Sequence, residues 1–152
     1  MEKILLAVDG SKKAEKAAEK AGELAVALEA EVTILTVIDA VSINYYAESA
    51  HSQFALEESM EKRKNEAKQH GEKILNKIEN IIKGFQKDKD IEINKLLSSG
   101  NPAEYICEEA ENNDYDLIIL ADTGEGGVKR FLLGSTSDRV VRHAGTSVMI
   151  VK

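Results

Sequence analysis

Short apolar runs alternate with helical patterns along the whole chain. Five runs are rich in Leu, Ile and Val, at residues 3–9, 31–39, 91–97, 116–121 and 147–151. Continuous runs of this kind are typical of strands in a parallel sheet that is covered on both faces. The pattern therefore predicts five parallel strands joined by segments long enough to form helices.

The first connecting segment has a helical period. Alanines and leucines recur every three or four residues between Ser11 and Leu28, which places them on one stripe of a helix. Ser11 precedes this stripe, and its hydroxyl can accept a hydrogen bond from an amide of the first turn. We therefore expect Ser11 to cap a helix whose small residues let it lie close to the sheet.

Three further helices are predicted. Asn101 is a good N-cap, Pro102 suits the first helical position, and Glu104 stands where a capping box has its acid. The other two helices are expected at 56–85 and near 136–144, after a polar loop at 40–53 and a glycine-bearing loop at 122–134.

Alternation of strands and helices predicts an α/β fold with a doubly wound, five-stranded parallel sheet and helices on both faces. No linker, repeat or low-complexity tract interrupts residues 1–152, so we expect a single domain. Ligands of such sheets bind beyond the carboxyl ends of the strands. Asp9, Asp39, Ser98 and the loop after Ala121 fall on that edge, which is therefore the candidate functional surface.

The composition narrows the class of protein. With 43% hydrophobic and 31% charged residues, the chain is too apolar for disorder. The 27 acidic and 20 basic residues give a net charge of −7, which argues against general nucleic-acid binding. No apolar run approaches the length of about 18 residues that a membrane helix needs, and no signal-peptide pattern opens the sequence. We expect a cytoplasmic protein that binds neither membranes nor nucleic acids.

Several familiar active sites do not match the sequence. The turn that begins at Asp9 fits neither the dinucleotide-binding glycine pattern nor the Walker motif, and no nucleophile elbow is present. The histidines His51, His70 and His143 lack metal-ligand spacing, so no metal site is predicted. A phosphoacceptor receiver domain would need an aspartate after the third strand, where this chain has Ser98.

One segment remains as a candidate phosphate site. Ala121-Asp122-Thr123-Gly124 is followed, after nine residues, by Gly134 and Ser135. Glycines let the backbone approach a phosphate closely, and a helix that starts near Ser135 would offer free amides and hydroxyl donors to an anion. The same residues also fit a turn and an N-cap without a ligand, and spacing alone leaves both interpretations open.

These residues resemble the universal stress protein family. Its pattern is Gly, two residues, Gly, nine residues, then Gly and Ser or Thr, which Gly124, Gly134 and Ser135 match with the right gap. The opening ILLAVDGS, which contains Asp9, and the segment 36–39 are also similar to family positions, the latter to the backbone that holds adenine. The resemblance covers the whole chain.

The resemblance implies a fold and a function. It implies the strand order 3-2-1-4-5, a homodimer formed through the last strand, and a regulatory role in which ATP, with Mg²⁺ or Mn²⁺ on its phosphates, binds at the carboxyl edge. No enzyme activity beyond slow or partner-dependent ATP hydrolysis is expected. The nucleotide-binding residues it implies are Ala7, Asp9, Val37, Ala121, Gly124, Gly134, Ser135 and Thr136.

Two departures from the family pattern keep an alternative open. Ala121 stands where the first glycine is expected, and its methyl group could obstruct ribose or phosphate. Asp122 would repel a triphosphate by about 1–4 kcal/mol at a distance of about 4 Å, unless a divalent metal intervenes. The alternative to ATP binding is a dimeric stress-response module that binds partner proteins and no nucleotide.

Overall fold

The computed structural model describes residues 1–39, 53–87, 89–123 and 132–152. Strands and helices alternate through these parts of the chain. In chain order they are β1 Lys3–Ala7, α1 Lys12–Leu28, β2 Glu31–Asp39, α2 Gln53–Lys83, β3 Ile93–Gly100, α3 Pro102–Asn112, β4 Leu117–Ala121, α4 Ser135–His143 and β5 Ser147–Val151.

The five strands form one parallel sheet with the order β3-β2-β1-β4-β5. In the register, Ile4 of β1 lies opposite Val32 of β2 and Leu117 of β4. β1 is therefore the central strand, and β5 lies at an edge beside β4. The predicted parallel α/β fold and its strand order are confirmed.

Two hydrophobic clusters occupy the two faces of the sheet. Ile4 and Leu6 of β1 point into a cluster with the buried faces of α1 and α2, whereas Leu5 points into a cluster with α3 and α4. Successive side chains of a strand point to opposite faces, so a strand covered on both sides must be apolar throughout. All three residues are fully buried, which explains why the run carries no alternation of polar and apolar positions.

Both predicted helix caps are present. The Ser11 hydroxyl accepts a hydrogen bond of 3.1 Å from the Ala14 amide at the start of α1. The Asn101 side chain accepts one of 3.2 Å from the Glu104 amide, directly before Pro102 at the start of α3. These local signals are reliable because a cap needs only residues within one turn of the helix.

Some boundaries differ from the predicted ones. β3 continues past the expected end at 97 to Gly100, because β2 extends to Asp39 and pairs with it over that length. α2 begins at Gln53 and ends at Lys83, where the amides of Gly84 and Phe85 turn back onto the last helical carbonyls.

Two predicted features lie partly or wholly outside the described residues. They are the loop at 40–53, of which only Gln53 is described, and the central part of the glycine-bearing loop at 124–131. α4 starts one residue earlier than predicted, and Ala144 is its C-cap. Among the helices in the described ranges, none combines the length and apolar character needed to cross a membrane.

Candidate functional site

The residues predicted to form the site lie at the carboxyl edge of the sheet. β1 is flanked by β2 and β4, and the chain winds outward in opposite directions from the β1–β4 pair. This reversal is the switch point where doubly wound sheets open a crevice for a ligand. The strand ends and the start of α4 bring seven of the predicted residues to this edge: Ala7, Asp9, Val37, Ala121, Gly134, Ser135 and Thr136. Gly124 lies outside the described residues.

The turn after β1 is shaped by Asp9 and Gly10. Gly10 has φ +84°, and a Cβ there would lie 2.8 Å from Cδ1 of Ile74 on α2, so both conformation and space favour glycine. The Asp9 carboxylate accepts a hydrogen bond of 3.0 Å from the Ser11 amide. Asp9 is exposed at the edge. It therefore supports the turn into α1 and is accessible to solvent at the carboxyl edge of the sheet.

A buried hydroxyl aligns the ends of β1 and β2. Thr36 donates a hydrogen bond of 3.2 Å to the Val8 carbonyl, and the Val8 amide donates one of 2.9 Å to the Leu35 carbonyl. Val37, the predicted adenine-contacting residue, comes directly after Thr36. Sequence reasoning missed this contact, although a threonine in an apolar strand run was the signal that could have found it.

Two hydrogen bonds join the end of β4 to the start of α4. The Ser137 hydroxyl donates to the Ala121 carbonyl at 2.7 Å, and the Gly134 amide donates to the Asp122 carbonyl at 2.7 Å. They close the base of the glycine-bearing loop. The Gly134 amide is therefore not available to a ligand, although the absence of a side chain lets a ligand come close to the backbone at this position. Amide hydrogen bonds to a ligand would come from the residues that follow Gly134.

The start of α4 has the features of an anion site. Gly134 is the N-cap, and as a glycine it has no side chain with which to cap the helix. The first amides of a helix have no partner within it, and they carry the positive end of the helix dipole. Ser135 is exposed and Thr136 is partly exposed, so their hydroxyl groups can reach the same region.

An ion pair lies beside this loop. Lys13 Nζ on α1 is 2.7 Å from Asp122 Oδ1, and the Thr123 hydroxyl donates to the same oxygen at 3.2 Å. The hydrogen bond from Lys13 is the main cause that lowers the pKa of the Asp122 carboxyl below its usual value. The Asp122 charge, which would repel a triphosphate, is paired with the charge of Lys13 in the structure. Sequence reasoning missed the pair because 109 residues separate its members.

The described residues do not gather metal ligands. Within ranges 1–39, 53–87, 89–123 and 132–152, no group of three His, Cys, Asp or Glu side chains could hold a metal ion. His70 on α2 and His143 on α4 are exposed, and His51 lies outside these ranges.

Fold and site together define a doubly wound α/β protein with a candidate anion site at the switch point. The chain belongs to the universal stress protein family, whose family model matches residues 1–152. A universal stress protein of Methanocaldococcus jannaschii is 32% identical over 150 residues, which cover 99% of this chain and 81% of that protein.

Solved structures of the family share this fold. Universal stress protein UspA from Lactobacillus plantarum superposes with a TM-score of 0.79 at 26% identity, over 99% of this chain and 97% of its own. A universal stress protein from Archaeoglobus fulgidus, solved in complex with dAMP, has a TM-score of 0.66 at 20% identity, over 100% of this chain and 98% of its own. At 20% identity, the similarity to the Archaeoglobus fulgidus protein concerns the fold alone.

Proposed function

We propose that this protein is a regulatory domain that binds an adenine nucleotide, ATP, at the carboxyl edge of its sheet. The observation that carries the proposal is the start of α4 at Gly134, an N-cap without a side chain, which two hydrogen bonds hold against the end of β4. Such a helix start binds phosphate through its amides, and here it lies at the switch point of the sheet.

The predicted residues divide between the parts of the nucleotide. The backbone at Val37 contacts adenine, and Ala7 and Asp9 lie near the ribose. Gly124, Gly134, Ser135 and Thr136 surround the phosphates, to which the two hydroxyl groups donate. Mg²⁺ or Mn²⁺ would accompany the phosphates, with Asp9 as the protein carboxylate nearest to it. Family membership supports the assignment, and the dAMP complex of the Archaeoglobus fulgidus protein supports this fold as one that can hold an adenine nucleotide.

A regulatory role fits the chemistry of the edge better than catalysis. General base catalysis needs a group that can take a proton from the attacking water. Among the described carboxylates at this edge, Asp122 is held by Lys13 and Asp9 accepts from the Ser11 amide. We propose hydrolysis that is at most slow or partner-dependent, in a protein of the cytoplasm.

We also propose that the protein is a homodimer that forms through β5. This strand lies at the edge of the sheet, and its apolar residues 148–151 are only partly buried. An apolar edge strand is an open template for pairing, and pairing with a second copy around a two-fold axis would cover it.

The alternative is a dimeric module that binds partner proteins and no nucleotide. Ala121 favours it, because this buried residue stands where the family pattern has glycine and is 9% exposed. The first test is to denature the purified protein and to analyse the released small molecules by absorbance and mass spectrometry. Calorimetric titration of the nucleotide-free protein with ATP, ADP and AMP follows. Release of an adenine nucleotide or saturable binding supports the proposal, whereas no binding at millimolar ligand supports the alternative.

A further inference from the structure

Asp122 connects three elements at the candidate site. Its amide donates to the Val151 carbonyl of β5 at 2.9 Å, and its carbonyl accepts from the Gly134 amide before α4 at 2.7 Å. Its carboxylate holds Lys13, in the first turn of α1, at 2.7 Å. The two backbone contacts fix the residue in place. The ion pair is therefore the part of this junction that a ligand can change.

Lys13 is accessible from the edge of the sheet. Its side chain is 42% exposed, whereas that of Asp122 is 17% exposed. An ammonium group has three donors, and the hydrogen bond to Asp122 uses one of them. Ion pairs with this degree of exposure contribute little stability, so a phosphate with a larger charge can compete with one carboxylate for the lysine.

We propose that Lys13 binds the phosphates of the nucleotide and that Asp122 competes with the ligand for it. This inference rests on the proposed function and adds a regulatory element to the same site. In the structure, Lys13 is paired with Asp122 and the two charges balance each other. When the phosphates of ATP arrive, Lys13 turns from Asp122 to the ligand, which ends the side-chain link between α1 and the β4–α4 junction.

If Asp122 and the ligand compete for Lys13, the effect of a substitution at Asp122 on ATP affinity must depend on whether Lys13 is present. Removal of the Asp122 charge should strengthen ATP binding through reduced repulsion, whether or not Lys13 is present. In the presence of Lys13 it should strengthen binding further, because the lysine is no longer held elsewhere. If Asp122 instead oriented Lys13 toward the ligand, the gain would be smaller with Lys13 than without it.

The experiment is a double-mutant cycle with Lys13→Met, Asp122→Asn and the double variant. Calorimetry measures binding of adenosine, AMP and ATP at low ionic strength with EDTA and again with magnesium. Lys20→Met and Glu23→Gln are matched controls, since these residues form an exposed pair two turns further along α1. Thermal unfolding verifies that every variant is folded.

We expect Lys13→Met to weaken ATP binding about fivefold, the equivalent of about 1 kcal/mol, and to leave adenosine binding unchanged. We expect Asp122→Asn to strengthen ATP binding about fivefold in the wild-type background and clearly less in the Lys13→Met background. The control variants should change ATP binding less than twofold.

Three results would overturn the inference. In the first, ATP binds and Lys13→Met behaves like Lys20→Met, which leaves the nucleotide proposal intact. In the second, Asp122→Asn strengthens ATP binding no more when Lys13 is present than in the Lys13→Met background. An equal gain in affinity would show charge effects that simply add, and a smaller gain would show that Asp122 positions Lys13 for the ligand. In the third, neither wild type nor any variant binds ATP or adenosine, and then the proposed function fails together with this inference.

Discussion

The hydroxyl of Ser137 donates a hydrogen bond of 2.7 Å to the carbonyl oxygen of Ala121, and Ser137 is 5% exposed. This contact joins the first turn of α4 to the last residue of β4. It therefore fixes the distance between the two chain segments that would enclose the phosphates of a nucleotide.

Two serines on α4 should separate stability from binding. Ser137→Ala should lower the free energy of unfolding by about 1–3 kcal/mol, because it leaves a buried carbonyl without its hydroxyl donor. Ser135 is exposed, so Ser135→Ala should change stability by less than about 0.5 kcal/mol and should weaken ATP binding. Urea unfolding and calorimetry measure the two quantities. Equal effects of both variants on stability would contradict this division of roles.

Asp9 should both stabilise the turn into α1 and contribute to nucleotide binding, and two variants separate these roles. Asn can still accept the hydrogen bond from the Ser11 amide, so Asp9→Asn should leave the melting temperature of the ligand-free protein nearly unchanged and should lower nucleotide affinity. Asp9→Ala removes the acceptor and should also cost about 1 kcal/mol of stability. If Asp9→Asn binds ATP as tightly as wild type does, Asp9 serves the turn alone.

Ala121→Gly should trade stability for affinity. Loss of the methyl group relieves crowding where the ligand passes the end of β4, so ATP should bind several-fold more tightly, about 1 kcal/mol. A glycine within a strand should destabilise the protein by about 0.5–1 kcal/mol. Calorimetry and urea unfolding test the two effects. No heat with ATP from either wild type or this variant would favour the interaction-module alternative.

The proposed dimer can be tested at the backbone of β5. Lysines at Met149 and Val151 should weaken the dimer, but both residues also pack on the face of the sheet that α1 and α2 cover, so stability would fall too. The Val151 carbonyl accepts from Asp122 beside β4. Polar groups of adjacent strand residues face opposite edges, so the Ile150 amide faces the outer edge.

Ile150→Pro is therefore the sharper variant, since it removes this amide at an edge position that tolerates proline. Light scattering at tens of micromolar should show a dimer for wild type and a monomer for Ile150→Pro. Ile150→Ala loses the same side-chain packing but keeps the amide, and it should stay dimeric. A wild-type protein that is monomeric at this concentration would refute the dimer.

The Lys13–Asp122 pair should give stability that depends on pH. The pKa of Asp122 is lowered in the folded protein, chiefly by the hydrogen bond from Lys13. The pair therefore stabilises the fold fully above the ordinary aspartate pKa of about 3.9, and this contribution is lost as pH falls through the lower folded value. Wild type should exceed Lys13→Met in unfolding free energy by up to about 1 kcal/mol at neutral pH. Urea unfolding at decreasing acid pH should show that the difference in unfolding free energy between wild type and Lys13→Met becomes smaller. A difference that stays constant with pH would mean that packing of the lysine side chain, and not its charge, causes the effect.

Sequence alone determined the elements whose signals are local. The unbroken apolar run of β1 required cover on both faces, and Ser11 and Asn101 marked helix starts through contacts within one turn. The alternation of strands and helices placed the candidate functional surface at the carboxyl edge of the sheet, where Val37 and Ser135 are found.

Only the tertiary structure decided how distant segments meet. β3 extends to Gly100 because the neighbouring strand is long enough to pair with it, and no residue of β3 itself encodes that length. Sequence alone did not identify a partner for the Asp122 carboxylate, and folding brings Lys13 from 109 positions away to pair with it. Hydrogen bonds and Coulomb forces act over a few ångströms in space, so they depend on the folded path of the chain, whereas periodicity and capping depend on near neighbours in sequence.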